Sequence, residues 1–88
     1  EFFGLPMTYF VYILYSEKLH RYYVGATGDL AARMESHLWM HKGFTSKVKD
    51  WELKHSESFA DKSEAFARER QIKKWKSRIM IEKLINAD

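Results

Sequence analysis

The sequence contains no cysteine, and this excludes disulfide bonds and thiolate zinc sites. A small domain without such cross-links is typical of a reducing compartment, so we expect the protein in the cytoplasm. Long apolar runs are also missing: the longest uncharged stretch, residues 2–16, has 15 residues and is interrupted by Gly4 and Pro6. Because this is too short and too broken to span a bilayer, we expect no membrane association and no signal peptide.

The composition is that of one small globular domain. The chain has 88 residues, of which 45% are hydrophobic and 16% aromatic, enough for one modest core. Residues 1–6 fit no periodic pattern, and Met7 suits a natural start. We therefore expect residues 1–6 to be a vector-derived remnant and residues 7–88 to form a single domain.

The net charge of +3 is unevenly distributed. Residues 1–44 have no net charge, residues 45–88 have +3, and the stretch Ala67–Lys83 alone has +5. Such a band can attract a polyanion, but a solvated helix face rich in lysine and arginine has the same composition. Charge alone leaves both interpretations open.

Two hydrophobic runs near the start of the chain predict a β-hairpin. Tyr9–Tyr15 is aromatic and β-branched on both faces, as expected for the central strand of a sheet, and Tyr22–Gly25 follows after a short polar loop. A third strand is predicted over Trp51–Phe59. Its polar alternate positions indicate a sheet edge.

Three helices are predicted from their capping signals. Thr27 or Asp29 begins a helix that extends to about Met40, and Asp61 begins a second helix from Lys62 to Trp75 or Lys76. Ser77 begins a third, whose predicted apolar side consists of Met80, Ile81, Leu84 and Ile85. The order β-β-α-β-α-α predicts an α/β (α+β) fold, a three-stranded antiparallel sheet flanked by helices.

One carboxylate conflicts with the helical pattern. Glu69 shares a stripe with Ala65 and Ile72 at i, i+4 and i+7, so its charge needs a compensating partner. A salt bridge to Arg68, Arg70 or Lys73 would supply it, and so would a role as metal ligand or catalytic carboxylate. A zinc site at His37 and His41 is disfavoured, because no third soft ligand has a matching position.

Several of these residues together resemble the GIY-YIG nuclease family. Phe10-Val11-Tyr12 stands where the family has Gly-Ile-Tyr, and Tyr23-Val24-Gly25 stands where it has Tyr-Ile-Gly. Arg33 and His37 follow on the first helix and Glu69 on the basic one. The resemblance covers about residues 9–76, and the sequence is most similar to small bacterial members related to the nuclease domain of the excision-repair endonuclease subunit.

The resemblance implies a catalytic group made of Tyr12, Tyr23, Arg33, His37 and Glu69. By this similarity Glu69 would bind Mg²⁺ or Mn²⁺, both of which accept hard oxygen ligands. Arg33 would hold the scissile phosphate. Tyr23 would take a proton from the attacking water, while Tyr12 and His37 orient that water.

The implied activity is metal-dependent hydrolysis of DNA phosphodiester bonds, directed by DNA structure rather than sequence and serving DNA repair. A partner protein would supply further specificity. The alternative is a nucleic-acid-binding module that keeps the scaffold and cleaves weakly. In either case we expect phosphate contacts from the basic helices, at Arg68, Arg70, Lys73, Lys74, Lys76 and Arg78.

Overall fold

The computed structural model describes residues 8–35 and 48–87. Their β-sheet has three antiparallel strands, β1 (Tyr9–Ser16), β2 (Arg21–Thr27) and β3 (Glu52–Phe59). The strand order is β2-β1-β3. This confirms the predicted hairpin, the central position of β1 and the edge position of β3. The predicted remnant, residues 1–6, lies outside the described residues.

Three helices accompany the sheet within the described residues, and their positions confirm the predicted order β-β-α-β-α-α. They are α1 (Leu30–Glu35), α2 (Lys62–Trp75) and α3 (Arg78–Ile85). The predicted continuation of the first helix to Met40, with His37, lies outside the described residues. No helix within the two described ranges is long and apolar enough to cross a membrane.

Each helix begins at a side-chain cap. The Asp29 carboxylate accepts a hydrogen bond from the backbone N–H of Ala32, and Asp61 accepts one from the N–H of Ser63. The Ser77 hydroxyl accepts one from Met80. Such bonds satisfy N–H groups that have no partner inside the helix.

The sheet has an apolar cluster on each face, because successive side chains of a strand point to opposite sides. On one face Val11 and Ile13 of β1 pack against Ala65 and Ile72 of α2. The opposite cluster is built on Tyr12, Leu14 and Trp51, and the residues packed against it include Leu30 and Met34. β1 therefore has buried side chains on both faces, as its sequence predicts.

The apolar side of α3 differs from the prediction at one position. Ile81, Leu84 and Ile85 pack against the α2 cluster as expected, but Met80 is 41% exposed. With only two turns, α3 presents a narrow stripe to the core, and Met80 stands at its margin. Assignment of Met80 to the buried side was therefore wrong.

Candidate active site

The ring of Tyr12 lies across Gly25. The two residues are register partners on β1 and β2, and Tyr12 is 1% exposed. A Cβ atom at position 25 would lie 2.5 Å from Cζ of Tyr12 and 3.0 Å from its Cε2, closer than packed atoms approach. Gly25 therefore provides the space that the Tyr12 ring occupies.

Tyr23 and Trp51 extend this aromatic group. The rings of Tyr12 and Tyr23 are stacked, with centroids 6.2 Å apart and planes 25° apart. Trp51 meets Tyr23 edge-on, with centroids 6.4 Å apart, a favourable arrangement of aromatic quadrupoles. Tyr23 is half-buried, whereas Tyr12 is buried, so Tyr23 is the phenol with greater access to solvent.

Sequence reasoning did not identify Trp51 as part of this group. The alternation of Trp51 with Leu53 indicated a strand, but it did not show which of the predicted site residues the indole would meet. That contact depends on the pairing of β3 with β1, which includes a register shift between Ile13 and Leu14. A bulge of this kind re-aims side chains and cannot be located from period-2 alternation.

The electrostatic surroundings of Tyr12 connect three of the other predicted site residues. Burial raises the pKa of Tyr12 well above its ordinary value, and Tyr23 and Glu69 raise that pKa further, while the Arg33 guanidinium opposes the shift. The Tyr12 hydroxyl therefore stays protonated near neutral pH.

Glu69 occupies the unusual position that its sequence pattern indicated. Ala65 and Ile72, its neighbours on the stripe, are fully buried, and the Glu69 side chain is only 20% exposed. Its Oε2 lies 2.7 Å from Nζ of Lys73, whose side chain is 54% exposed. The salt bridge considered from the sequence is therefore present. Because the Lys73 side chain is more than half exposed, solvent screens the pair, and another cation can replace Lys73.

Arg33 stands at the end of the described part of α1. Its backbone N–H donates to the carbonyl of Asp29 and closes the first turn of the helix. The Arg33 side chain is exposed, so the guanidinium is accessible to a solvent-borne anion. His37, predicted beside it, lies outside the described residues.

The predicted DNA-contacting side chains do not share one face. Arg68 donates two hydrogen bonds to the carboxylate of Glu57, at 2.8 and 3.1 Å, and its guanidinium lies 5.7 Å from the ring centre of Trp75. Arg78 lies over Tyr15 and Tyr22 near the hairpin. The remaining four are exposed; they are Arg70, Lys73, Lys74 and Lys76.

The donor set favours a hard cation over a soft one. Among residues 8–35 and 48–87, no group of three histidine, cysteine or acidic side chains is placed to hold a metal ion. Glu69 supplies one partly exposed carboxylate. Mg²⁺ fits such a site, because it keeps several of its waters and is completed by substrate phosphates.

The fold and this group of side chains define a GIY-YIG domain. The chain matches the model of the GIY-YIG catalytic domain over residues 8–84, and it therefore belongs to the GIY-YIG family of nucleases, which generally use divalent metals. No curated protein matches the sequence.

A solved relative has the same architecture. The UPF0213 protein from Bacillus halodurans, determined by solution NMR, is 28% identical in sequence, with a TM-score of 0.61. The match covers 93% of this chain and 86% of that one. Similarity to this relative therefore extends over the whole domain rather than the motifs alone.

Proposed function

We propose that this protein is a metal-dependent endonuclease that hydrolyses DNA phosphodiester bonds and selects DNA by structure rather than sequence. The observation that carries the proposal is the stacking of the Tyr12 and Tyr23 rings, 6.2 Å between centroids, in a chain that matches the GIY-YIG catalytic domain over residues 8–84. Phosphodiester hydrolysis needs a proton acceptor, a cation for the phosphate and a metal ligand. Tyr23, Arg33 and Glu69 would offer one of each.

Arg33 would bind the scissile phosphate, because its exposed guanidinium can donate two parallel hydrogen bonds to phosphate oxygens. Tyr23 would accept the proton of the attacking water, since it is the more accessible phenol. Tyr12 would act as a neutral donor that holds the water or a phosphate oxygen, because burial keeps it protonated. His37 would assist in orienting the water.

Glu69 would hold Mg²⁺ or Mn²⁺ after Lys73 moves aside. The ion, when bound, supplies positive charge for the oxygens that become more negative during hydrolysis. Exposed cations of α2 would contact flanking phosphates without reading bases. A partner protein would then direct the domain to its DNA substrate, and DNA repair is the process that this activity would serve.

The test is nicking of supercoiled plasmid and cleavage of branched DNA in Mg²⁺ or Mn²⁺ by wild type, Glu69→Gln and Tyr23→Phe. We expect both variants to lose about 10²–10³-fold in rate, the range for removing a group that stabilises transition-state charge. Glu64→Gln is the matched control, because it neutralises an exposed carboxylate on the same helix.

Equal nicking by wild type and Glu69→Gln would identify a contaminant and overturn the assignment. DNA binding by all proteins without cleavage by any would favour the binding-module alternative. Greater cleavage of branched DNA than of plain duplex would support selection by structure.

A further inference from the structure

A second cationic site lies where the β1–β2 hairpin meets the turn between α2 and α3. This cavity, named here the junction pocket, has a volume of about 580 Å³. Three of its lining side chains are cationic, Arg21, Lys76 and Arg78, and no carboxylate from the described ranges lines it. His20 also lines the pocket. The pocket therefore has the electrostatic character of an anion site.

Two residues of the junction pocket have an unusual backbone conformation. Among the described residues, only His20 and Lys76 are non-glycine residues with positive φ, at 53° and 47°, and both line the pocket. Glycine adopts this conformation without steric cost, whereas other residues do not. Both positions nevertheless carry basic side chains, and both face one cavity.

The cationic side chains of the pocket differ in how many partners bind them. The Arg78 guanidinium is fixed by bonds to the carbonyl of His20 at 2.9 Å and the Tyr15 hydroxyl at 3.0 Å, and by Glu82 at 3.1 Å. Lys76 forms no ion pair with another described residue. Lys76 thus contributes an uncompensated charge beside a rigid guanidinium.

The junction pocket adjoins the C-terminal end of α2, the helix that carries Glu69. Its lining residue Lys76, the C-cap of α2, follows Glu69 by seven residues, and seven residues of helix correspond to about 10 Å. On the edge strand β2, Arg21 lies at the pocket end and Gly25 lies beneath Tyr12. Four residues of strand correspond to about 13 Å. Both α2 and β2 therefore connect the candidate active site to the junction pocket.

We propose that the junction pocket binds one backbone phosphate of DNA that flanks the scissile phosphate. The pocket and the candidate active site are separated by about 10–13 Å along α2 and β2, so a single DNA strand can contact both. The proposal rests on the proposed function for the identity of the ligand. Lys76 and Arg21 supply attraction, and Arg78 supplies a fixed donor group.

The test is equilibrium binding of a labelled DNA duplex in EDTA, which prevents metal-dependent cleavage. Lys76→Gly removes the charge while leaving a residue suited to positive φ, so the fold should be retained or stabilised. We expect weaker binding, and a plot of log affinity against log salt concentration whose slope is smaller by about 0.9, the value for one lost phosphate contact. Lys62→Ala is the control, since it removes one lysine at the opposite end of α2.

The proposal would be overturned if Lys76→Gly left the salt-dependence slope unchanged, or if Lys62→Ala reduced the affinity and the slope by the same amount. Failure of wild type to bind the duplex would overturn it as well. Failure of the proposed function has a different signature. In that case wild type would not cleave DNA in Mg²⁺, but Lys76→Gly would still bind DNA more weakly than wild type in EDTA.

Discussion

The phenol ring of Tyr12 fills the space left by the missing side chain of Gly25, its partner across the β1–β2 ladder. Gly25→Ala should therefore destabilise the protein by about 1–3 kcal/mol, the usual cost of overpacking, although alanine is ordinarily favoured over glycine within a strand. Urea denaturation measures the change. We also expect loss of cleavage, because the displaced ring carries the Tyr12 hydroxyl.

A double-mutant cycle provides the control for this contact. Tyr12→Leu shortens the facing side chain, so Gly25→Ala should cost less in that background than in wild type. Equal costs in the two backgrounds would show that the glycine is needed for another reason.

Tyr12→Phe should lower the cleavage rate without changing the shape of its pH profile. Burial raises the pKa of Tyr12, so the hydroxyl remains a neutral donor over the assay range of about pH 6 to 9. Removal of one such hydrogen bond should cost about 10–100-fold. Cleavage rates across this range check the prediction, and loss of one limb of the profile would mean that Tyr12 titrates during the reaction.

Lys73→Ala should lower the Mg²⁺ concentration needed for half-maximal cleavage. Lys73 pairs with Glu69 at 2.7 Å and competes with a cation for that carboxylate. Because solvent screens the pair on the Lys73 side, we expect a modest effect of about twofold. Metal titration of the cleavage rate measures it. Lys74→Ala, at the adjacent exposed position, should leave the metal requirement unchanged; an equal effect there would indicate general electrostatics.

Acid should weaken the connection between β3 and α2. The hydrogen bonds from Arg68, and to a lesser extent the contact with His55, lower the pKa of Glu57 below its ordinary value of 4.5. The pair therefore contributes stability above pH 4.5 that is lost as the pH falls through the lower pKa of the folded state.

Glu57→Gln should remove this contribution, which we expect to be about 0.5–1 kcal/mol because solvent screens the pair. Urea midpoints measured from pH 6 to pH 3, a range of about three units across the carboxyl transition, should fall less steeply for Glu57→Gln than for wild type. Glu64→Gln should retain the wild-type slope. Parallel curves for all three proteins would contradict the prediction.

Local signals in the sequence predicted most of the secondary structure. Asp61 and Ser77 begin the predicted helices, since a cap acts within one turn. The apolar residues of β1 indicated a central strand, because burial on two faces requires apolar side chains on both. The polar alternation of β3 indicated an edge strand. The exposed Met80 was missed, because helical period alone does not show how wide a stripe the core covers.

Both the sequence and the tertiary structure were needed to describe the candidate site. The motif spacing and the resemblance selected Tyr12, Tyr23, Arg33 and Glu69, but the sequence left open whether Glu69 forms a salt bridge or belongs to the site. The structure shows the Lys73 pair, and Glu69 is among the groups that raise the pKa of Tyr12. Pairings between distant residues are set by register and packing, which a linear pattern does not contain.

The sequence by itself determined the elements, their order and the spacing of the motif, because capping, periodicity and chain connectivity are local properties. Only the tertiary structure decided how the charges are used. It pairs Arg68 with Glu57 across 11 residues, and it brings Arg21 of the hairpin to the same pocket as Lys76. Charge is counted along a chain, but its effect depends on distance and burial, and these exist only after the sheet and helices have packed.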